Sequence, residues 1–395
     1  MSGTANITAR RLFDGETMHE NATLVIDDGL VADIVPANQA KAPTAGSRFD
    51  TGLVVPGFVD LQVNGGGGYL LNDDPSVDTV RAICAAHIRL GTTSILPTLI
   101  TDGPDKVRAA IDAAIAAHRA GVPGFLGLHL EGPHLSITRK GAHYAALMRE
   151  MSPDDMKLLI EAAAQLPHLM VTLAPEVVST AQISELANAG VVVSLGHSDC
   201  SAARALEAAE AGASCVTHLF NAMSPLSHRE PGLVGATLES GTLSAGLIAD
   251  GYHVDPIAIR IALASKRGPG HLFLVSDAMS VTGSELTSFT LASQKIFRRD
   301  GRLTQEDGTL AGADLDMRTA VSFMVETVGL GIDEALRMAT SYPAACMRGS
   351  SKAGNLKPGS PADFLHLSEM LDLQGVWLRG IAVQDTAARK SHHAL

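Results

Sequence analysis

Aromatic residues make up only 4% of the 395-residue chain, with a single Trp and four Tyr. So few flat side chains exclude a protein whose main work is stacking on nucleic-acid bases. Positive charge is also scarce: 30 Lys and Arg against 42 Asp and Glu leave a formal net charge of -12. A binder of the phosphate backbone needs a basic face, so no nucleic-acid partner is expected. A few local cations still suffice to hold one small phosphate. The four cysteines, Cys84, Cys200, Cys215 and Cys346, are widely spaced and form no CxxC pair. They read as reduced core thiols rather than disulfides or metal ligands. No run approaches the ~18 apolar residues of a spanning helix, and residues 1–11 carry neither an apolar core nor a cleavage pattern. The expectation is a soluble cytoplasmic protein with no membrane partner.

What is present is apolar mass, 46% hydrophobic residues against 18% charged, which excludes a disordered or fibrous chain. Residues 5–12, 22–27 and 30–35 read as short strands, with turn signals at Asp14-Gly15 and Asp28-Gly29. Residues 53–63 form a nearly continuous apolar run broken at Pro56-Gly57, which suits a buried parallel strand. Helical patterns at 77–90, 105–120, 156–165, 180–189, 202–211 and 257–264 then separate apolar runs at 93–97, 125–130, 169–173, 191–195, 214–217, 243–249 and 272–275. With 58–63 as the first, eight strands result, and eight such units predict an α/β chain closed into a (β/α)8 TIM-like barrel. A doubly wound open sheet is the alternative on pattern alone.

After Asp277 the rhythm changes. Residues 289–297 and 302–304 read as a β insertion, 316–328 and 332–340 as helices followed by 343–347, and 362–367 and 375–383 as strands. The expected organisation is a barrel over residues 55–350, with a β insertion near 287–312. A small β-sandwich module would be built from both termini, residues 1–54 and 351–395. Residues 386–395 carry no core pattern and are expected to fray.

Ionisable residues stand at the ends of successive apolar runs: Glu131 after 125–130, His197 after 191–195, His218 after 215–217, Asp250 and His253 after 247–249, and Asp277 after 272–275. Barrel enzymes carry their sites at the carboxyl ends of the strands. Neighbouring parallel strands lie ~4.8 Å apart, so His197 and His218 can converge on one point. Two imidazoles and one carboxylate, with a position left open for water, make a catalytic zinc-type set. A carboxylate beside it, Asp277, can take a proton from the attacking water and return it to a leaving nitrogen. His143 and His253 fall on loops above the same face. His129 alternates with Glu131 one layer deeper and reads as a hydrogen-bonded interior residue. Asn221-Ala222-Met223 and Arg229-Glu-Pro-Gly232 offer backbone N–H groups and a guanidinium for an anion. Asn64-Gly-Gly-Gly-Gly68 lacks the Lys-Ser/Thr pair of a P-loop and reads as an active-site loop.

These segments resemble N-acetylglucosamine-6-phosphate deacetylases of the amidohydrolase superfamily. The matching motifs run through almost the whole chain, among them Val55-Pro-Gly-Phe-Val-Asp60, His129-Leu-Glu-Gly-Pro133, Lys140-Gly-Ala-His143, Gly196-His-Ser198, Thr217-His-Leu-Phe-Asn-Ala-Met223, Ala249-Asp-Gly-Tyr-His253 and Gly308-Thr-Leu-Ala-Gly312. The resemblance implies that Glu131, His197 and His218 bind one divalent metal, commonly zinc, with iron, cobalt and manganese as the other occupants. It implies that Asp277 is general base and then acid, while His143 polarises the acetyl carbonyl. Asn221, Ala222, Arg229 and His253 would contact the phosphate, with Arg229 and His253 able to come from the neighbour in a homodimer. Ala142 and the loop Leu310, Ala311, Gly312 would line the sugar. The implied reaction releases acetate from N-acetyl-D-glucosamine 6-phosphate, in amino-sugar catabolism or cell-wall recycling. The galactosamine epimer is the alternative substrate. A catalytically silent sugar-phosphate binding protein is the alternative outside the enzyme class.

Two departures stand out. Many amidohydrolases carry His-x-His at the end of the first strand and bind two metals. Here those positions are Gln62 and Asn64, poor ligands for a transition metal, so one firmly bound ion is expected. His134 occupies a position where the family usually has an aromatic residue. It would be either a simple ring replacement or an additional polar group near the site.

Overall fold

The apolar runs lie side by side as eight parallel strands, hydrogen-bonded in chain order in a computed structural model that describes residues 4–40, 45–291, 294–347, 349 and 351–384. They are β1 (Phe58–Val63), β2 (Thr92–Ile100), β3 (Leu128–Glu131), β4 (Leu169–Leu173), β5 (Val192–Leu195), β6 (Cys215–Val216), β7 (Ser244–Leu247) and β8 (Leu272–Leu274). Every residue of β1, β3, β4 and β5 is buried. Strands covered on both faces can be uniformly apolar, which is why continuous runs rather than alternation mark them in the sequence.

The ring closes just beyond β8. Asp277 N donates to Gln62 O (3.1 Å) and Asn64 N to Ala278 O (2.9 Å). The buried carboxylate of Asp60 accepts from the backbone N–H of Gln62 (3.1 Å) and of Ser276 (3.2 Å), stitching β1 to the end of β8. Helices cover the outside, and several begin where the sequence supplies an oxygen acceptor. Ser76, Ser152, Ser179, Ser201 and Asp255 each cap a first turn, with capping boxes at Ser152/Asp155 and Ser179/Gln182. Each such cap contributes about 1 kcal/mol.

Both termini build the second sheet. Strands Thr4–Phe13, Met18–Asp27, Leu30–Pro36 and Leu53–Pro56 continue through Phe364–Leu367 into Leu373–Leu378 and Ile381–Ala382, while Ala45–Phe49 pairs with the first. Its small core gathers Leu12, Leu24, Val54 and Phe364, with Trp377 stacked on Phe364 at 4.8 Å between ring centroids.

Several elements differ from expectation. Residues 289–297 form two antiparallel strands, Ser288–Leu291 and Gln294–Arg299, joined by Arg302–Thr304 into a three-stranded insertion. Residues 375–383 turn at Arg379 and Gly380, both at positive φ, so the expected strand is a hairpin. The helix Gly232–Glu239 was not expected: six of its eight residues are buried, so it has no polar face and no 3.6-residue periodicity to read. The expected fraying of residues 386–395 lies outside the described residues.

Candidate active site

Glu131 is the last residue of β3, His197 and His218 each stand two residues beyond β5 and β6, and Asp277 stands three beyond β8. His197 (φ 47°), His218 (φ 29°) and Asp277 (φ 51°) all adopt the left-handed region. That conformation costs non-glycine residues roughly 1–3 kcal/mol each. Here it turns each side chain inward as the strand leaves the barrel. Gly196 makes the approach possible, since a Cβ there would meet Thr172 Cγ2 and Thr217 Cβ, both at 2.9 Å.

The side chains converge. Glu131 Oε1 lies 3.1 Å from His218 Nε2 and 3.3 Å from His197 Nε2, and the two imidazole nitrogens are 3.0 Å apart. His197 donates Nδ1–H to Arg139 O (2.9 Å), which leaves Nε2 as a lone pair aimed at the cluster. A carboxylate oxygen and a nitrogen lone pair held this close need a positive charge between them. Ligand atoms around a tetrahedral zinc lie roughly 3.3 Å apart, so the spacing and the donor set both fit a divalent ion. The Glu/His/His cluster is thus suited to a single divalent metal. In the protein alone His218 is held above its ordinary range: burial opposes its cation, but the hydrogen bond and charge of Glu131 outweigh that. Burial likewise pushes the Glu131 carboxyl upward, and the His197 and His218 hydrogen bonds hold it well below the usual range. Ligand-capable atoms of Glu131, His143 and His197 also lie within 4.8 Å of one another. His143 Nε2 is 3.8 Å from Glu131 Oε2, so the set with His218 is the tighter one.

Asp277 faces this cluster. Its Oδ1 accepts from Asn64 Nδ2 (2.7 Å) and Gln62 Nε2 (3.1 Å), and the same Gln62 amide donates to Glu131 Oε1 (3.0 Å). The two residues that replace His-x-His therefore bond to the carboxylates as donors. Burial, followed by the charge of Glu131, pushes Asp277 up to about 6. His143 is pulled down to about 3, by burial and then by the charges of its neighbours His197 and, in opposition, Glu131. Its Nδ1 lies 2.8 Å from Thr101 Oγ1 and 3.4 Å from the Thr101 N–H, and an Nδ1 that accepts from both puts the ring proton on Nε2.

The cavity over the cluster is lined by Ala142, Asn221, Ala222, His253, Leu310 and Gly312 as well as by Asn64, Glu131, His143, His197, His218 and Asp277. Ala311 is fully buried behind that wall rather than in it, and Arg229 is exposed, away from the cavity of its own chain. His253 reaches the cavity from within the same chain. Asp250, to which the sequence gives no part, receives His253 Nδ1 at 2.6 Å. His134 bonds through Nδ1 to Arg149 O (3.0 Å) and does not line the cavity. His129 lies a layer below, between Leu61 O (2.9 Å) and Thr172 Oγ1 (2.7 Å), as an interior polar link. Thr101 and Asp60 also belong to the site's support; Asp60 ends one of the matching motifs, but the sequence gives neither residue a role.

A closed parallel barrel with a metal-suited Glu/His/His cluster and an adjacent carboxylate at its C-terminal face defines a hydrolase of the metal-dependent class. Residues 53–383 match the amidohydrolase family. The N-acetylgalactosamine-6-phosphate deacetylase of Shewanella sp. (strain ANA-3) is 39% identical over 363 residues, 91% of each chain. The crystal structure of an N-acetylglucosamine-6-phosphate deacetylase from Pasteurella multocida superposes with a TM-score of 0.92 at 32% identity, covering 97% of this chain and 100% of that one. A mutant of the Mycobacterium smegmatis N-acetyl-D-glucosamine-6-phosphate deacetylase, solved with N-acetyl-D-glucosamine-6-phosphate, superposes at 0.88 and 31% identity, with 97% and 100% coverage. The chain belongs to the amidohydrolase family, and within it to the hexosamine-6-phosphate deacetylases. No described helix is long and apolar enough to cross a membrane.

Proposed function

We propose that the chain hydrolyses the acetamide of an N-acetylhexosamine 6-phosphate, releasing acetate and the amino-sugar phosphate. The observation that carries this reading is the meeting of three metal-suited donors with a carboxyl held near neutrality. Held by Glu131, His197 and His218, a divalent ion such as zinc, iron, cobalt or manganese would act as a Lewis acid toward the amide carbonyl and acidify water. Asp277, with Oδ1 bonded to Asn64 and Gln62, offers its other oxygen to the attacking water and takes its proton. It then returns that proton to the departing nitrogen. His143 donates Nε2–H to the carbonyl oxygen as charge develops there.

Ala142, Leu310 and Gly312 give the sugar ring an apolar wall, and Asn221, Ala222 and His253 face the phosphate. No Lys or Arg lines the cavity among the described residues. A dianionic phosphate calls for one, which supports a homodimer in which Arg229 serves the partner's site. Exposed Leu226 and Tyr144 on the same loops offer apolar surface for that contact.

The gluco epimer is the first substrate we assign. The galacto epimer is a second reading, favoured by the 39% identical relative. Acetate release from both phosphorylated epimers, measured side by side on metal-replete protein, decides between them. Ligand binding without acetate release from either would reject the hydrolase reading.

A further inference from the structure

We infer that Asp250 is a positioning residue that fixes the His253 ring with Nε2 toward the cavity, where it meets the phosphate. The inference rests on reading His253 as a phosphate contact. The segment beyond β7 runs through Ile248 and Ala249, both fully buried, to a turn at Asp250-Gly-Tyr-His253. Asp250 Oδ1 accepts the backbone N–H of Tyr252 (2.8 Å) and of His253 (2.9 Å), and these two bonds suffice to close the turn. The second oxygen does something else. Oδ2 lies 2.6 Å from His253 Nδ1, with side chains only 9% and 8% exposed.

An ionised carboxylate only accepts, so Nδ1 must carry hydrogen. His253 lines the cavity, and with Nδ1 committed, Nε2 is the one ring nitrogen free to meet a ligand. The buried carboxylate thereby fixes both the orientation of the ring and which nitrogen meets the ligand. Burial works to raise the Asp250 carboxyl, and the His253 hydrogen bond and charge bring it below its usual range. Among the described residues no Lys or Arg lines this wall, so the orientation of His253 weighs in phosphate binding. The role therefore matters to binding rather than to the fold of the turn.

The test compares Asp250→Asn and His253→Asn with the unaltered protein. Asn keeps an oxygen for the turn bonds but places N–H opposite Nδ1, which removes the charge. Steady-state kinetics on the phosphorylated sugar and on the unphosphorylated N-acetylhexosamine give the ratio of the two kcat/KM values. Inorganic phosphate serves as probe, its dissociation constant read by calorimetry, which needs no turnover. We expect Asp250→Asn to raise the phosphate dissociation constant and the KM of the phosphorylated sugar about tenfold, with a smaller change in kcat, and to lower the substrate ratio alike. Equal losses on both substrates would mark Asp250 as merely structural and overturn the inference. A weakened His253→Asn beside an unaffected Asp250→Asn overturns it too, while leaving His253 as a phosphate contact. If neither variant weakens phosphate, the reading of His253 itself fails. Should the Asn variant not fold, Asp250→Ser removes the Oδ2 contact while keeping an acceptor for the turn, and is judged by the same outcomes.

Discussion

Asn64 donates its side-chain N–H to Asp277 Oδ1 across 2.7 Å, from a position where related barrels hold a histidine ligand. With Oδ1 taken by Asn64 and Gln62, Oδ2 is the oxygen the proposed base would use. We expect Asp277→Asn to keep its metal, because the three proposed ligands are untouched, and to lose roughly 10²–10⁴-fold in turnover. Near-normal turnover by that variant would remove Asp277 as the base. Burial and the Glu131 charge disfavour its ionised form, raising it to about 6, so the active base is lost as pH falls. The acid limb of kcat/KM should have its midpoint at or below about pH 6, since a cation nearby pulls it down. A midpoint well above neutrality would point to another group.

Metal content follows from the cluster. One divalent ion per chain is expected by elemental analysis, and chelation should abolish acetate release. His197→Ala should leave well under one ion per chain. Melting temperature should rise with added zinc in the unaltered protein and respond far less in the variant, because ligand binding to the folded form alone stabilises it. Two tightly held ions would show that Gln62 and Asn64 do not close the second position.

Arg229 stands outside the cavity of its own chain, and this permits a subunit-mixing test. Arg229→Ala and Asp277→Asn homodimers should each be nearly inactive toward the phosphorylated sugar. After subunit exchange, mixed dimers hold one site with both Asp277 and a partner-supplied Arg229. We expect activity above the sum of the two parents. Strict additivity would place the action of Arg229 within its own subunit or nowhere.

Gly196 predicts a stability effect with a functional echo. A methyl group there meets two side-chain carbons at 2.9 Å, and such overpacking costs about 1–3 kcal/mol. Gly196→Ala should lower the melting temperature and, by displacing the next residue, weaken metal binding. An unchanged melting temperature would show that Thr172 and Thr217 yield freely.

The legible part of this molecule is what a strand delivers directly. Glu131, His197, His218 and Asp277 each follow an apolar run, and a barrel brings such ends together whatever the details. The residues that tune them were silent because their partners are remote in sequence. Thr101 meets His143 over 42 positions and Asp60 meets Ser276 over 216. Asp250 was visible as a strand-end carboxylate, but only the folded turn shows which oxygen serves the backbone and which the imidazole. The sequence offers two roles for His134. Its bond to Arg149 O and its place outside the cavity favour the simple ring replacement.

The seam between β1 and the end of β8 gives the chain an unusual division of labour. The proposed metal ligands stand at the ends of strands β3, β5 and β6, in the body of the wall. The proposed proton carrier, Asp277, accepts from amides contributed across the join, from residues more than 200 positions away. A barrel unzipped at that join would still hold its ion and yet be chemically mute. Activity is then a gauge of closure, and in rising denaturant we expect acetate release to fade before the metal is released. Simultaneous loss of both would show that the seam and the wall open as one.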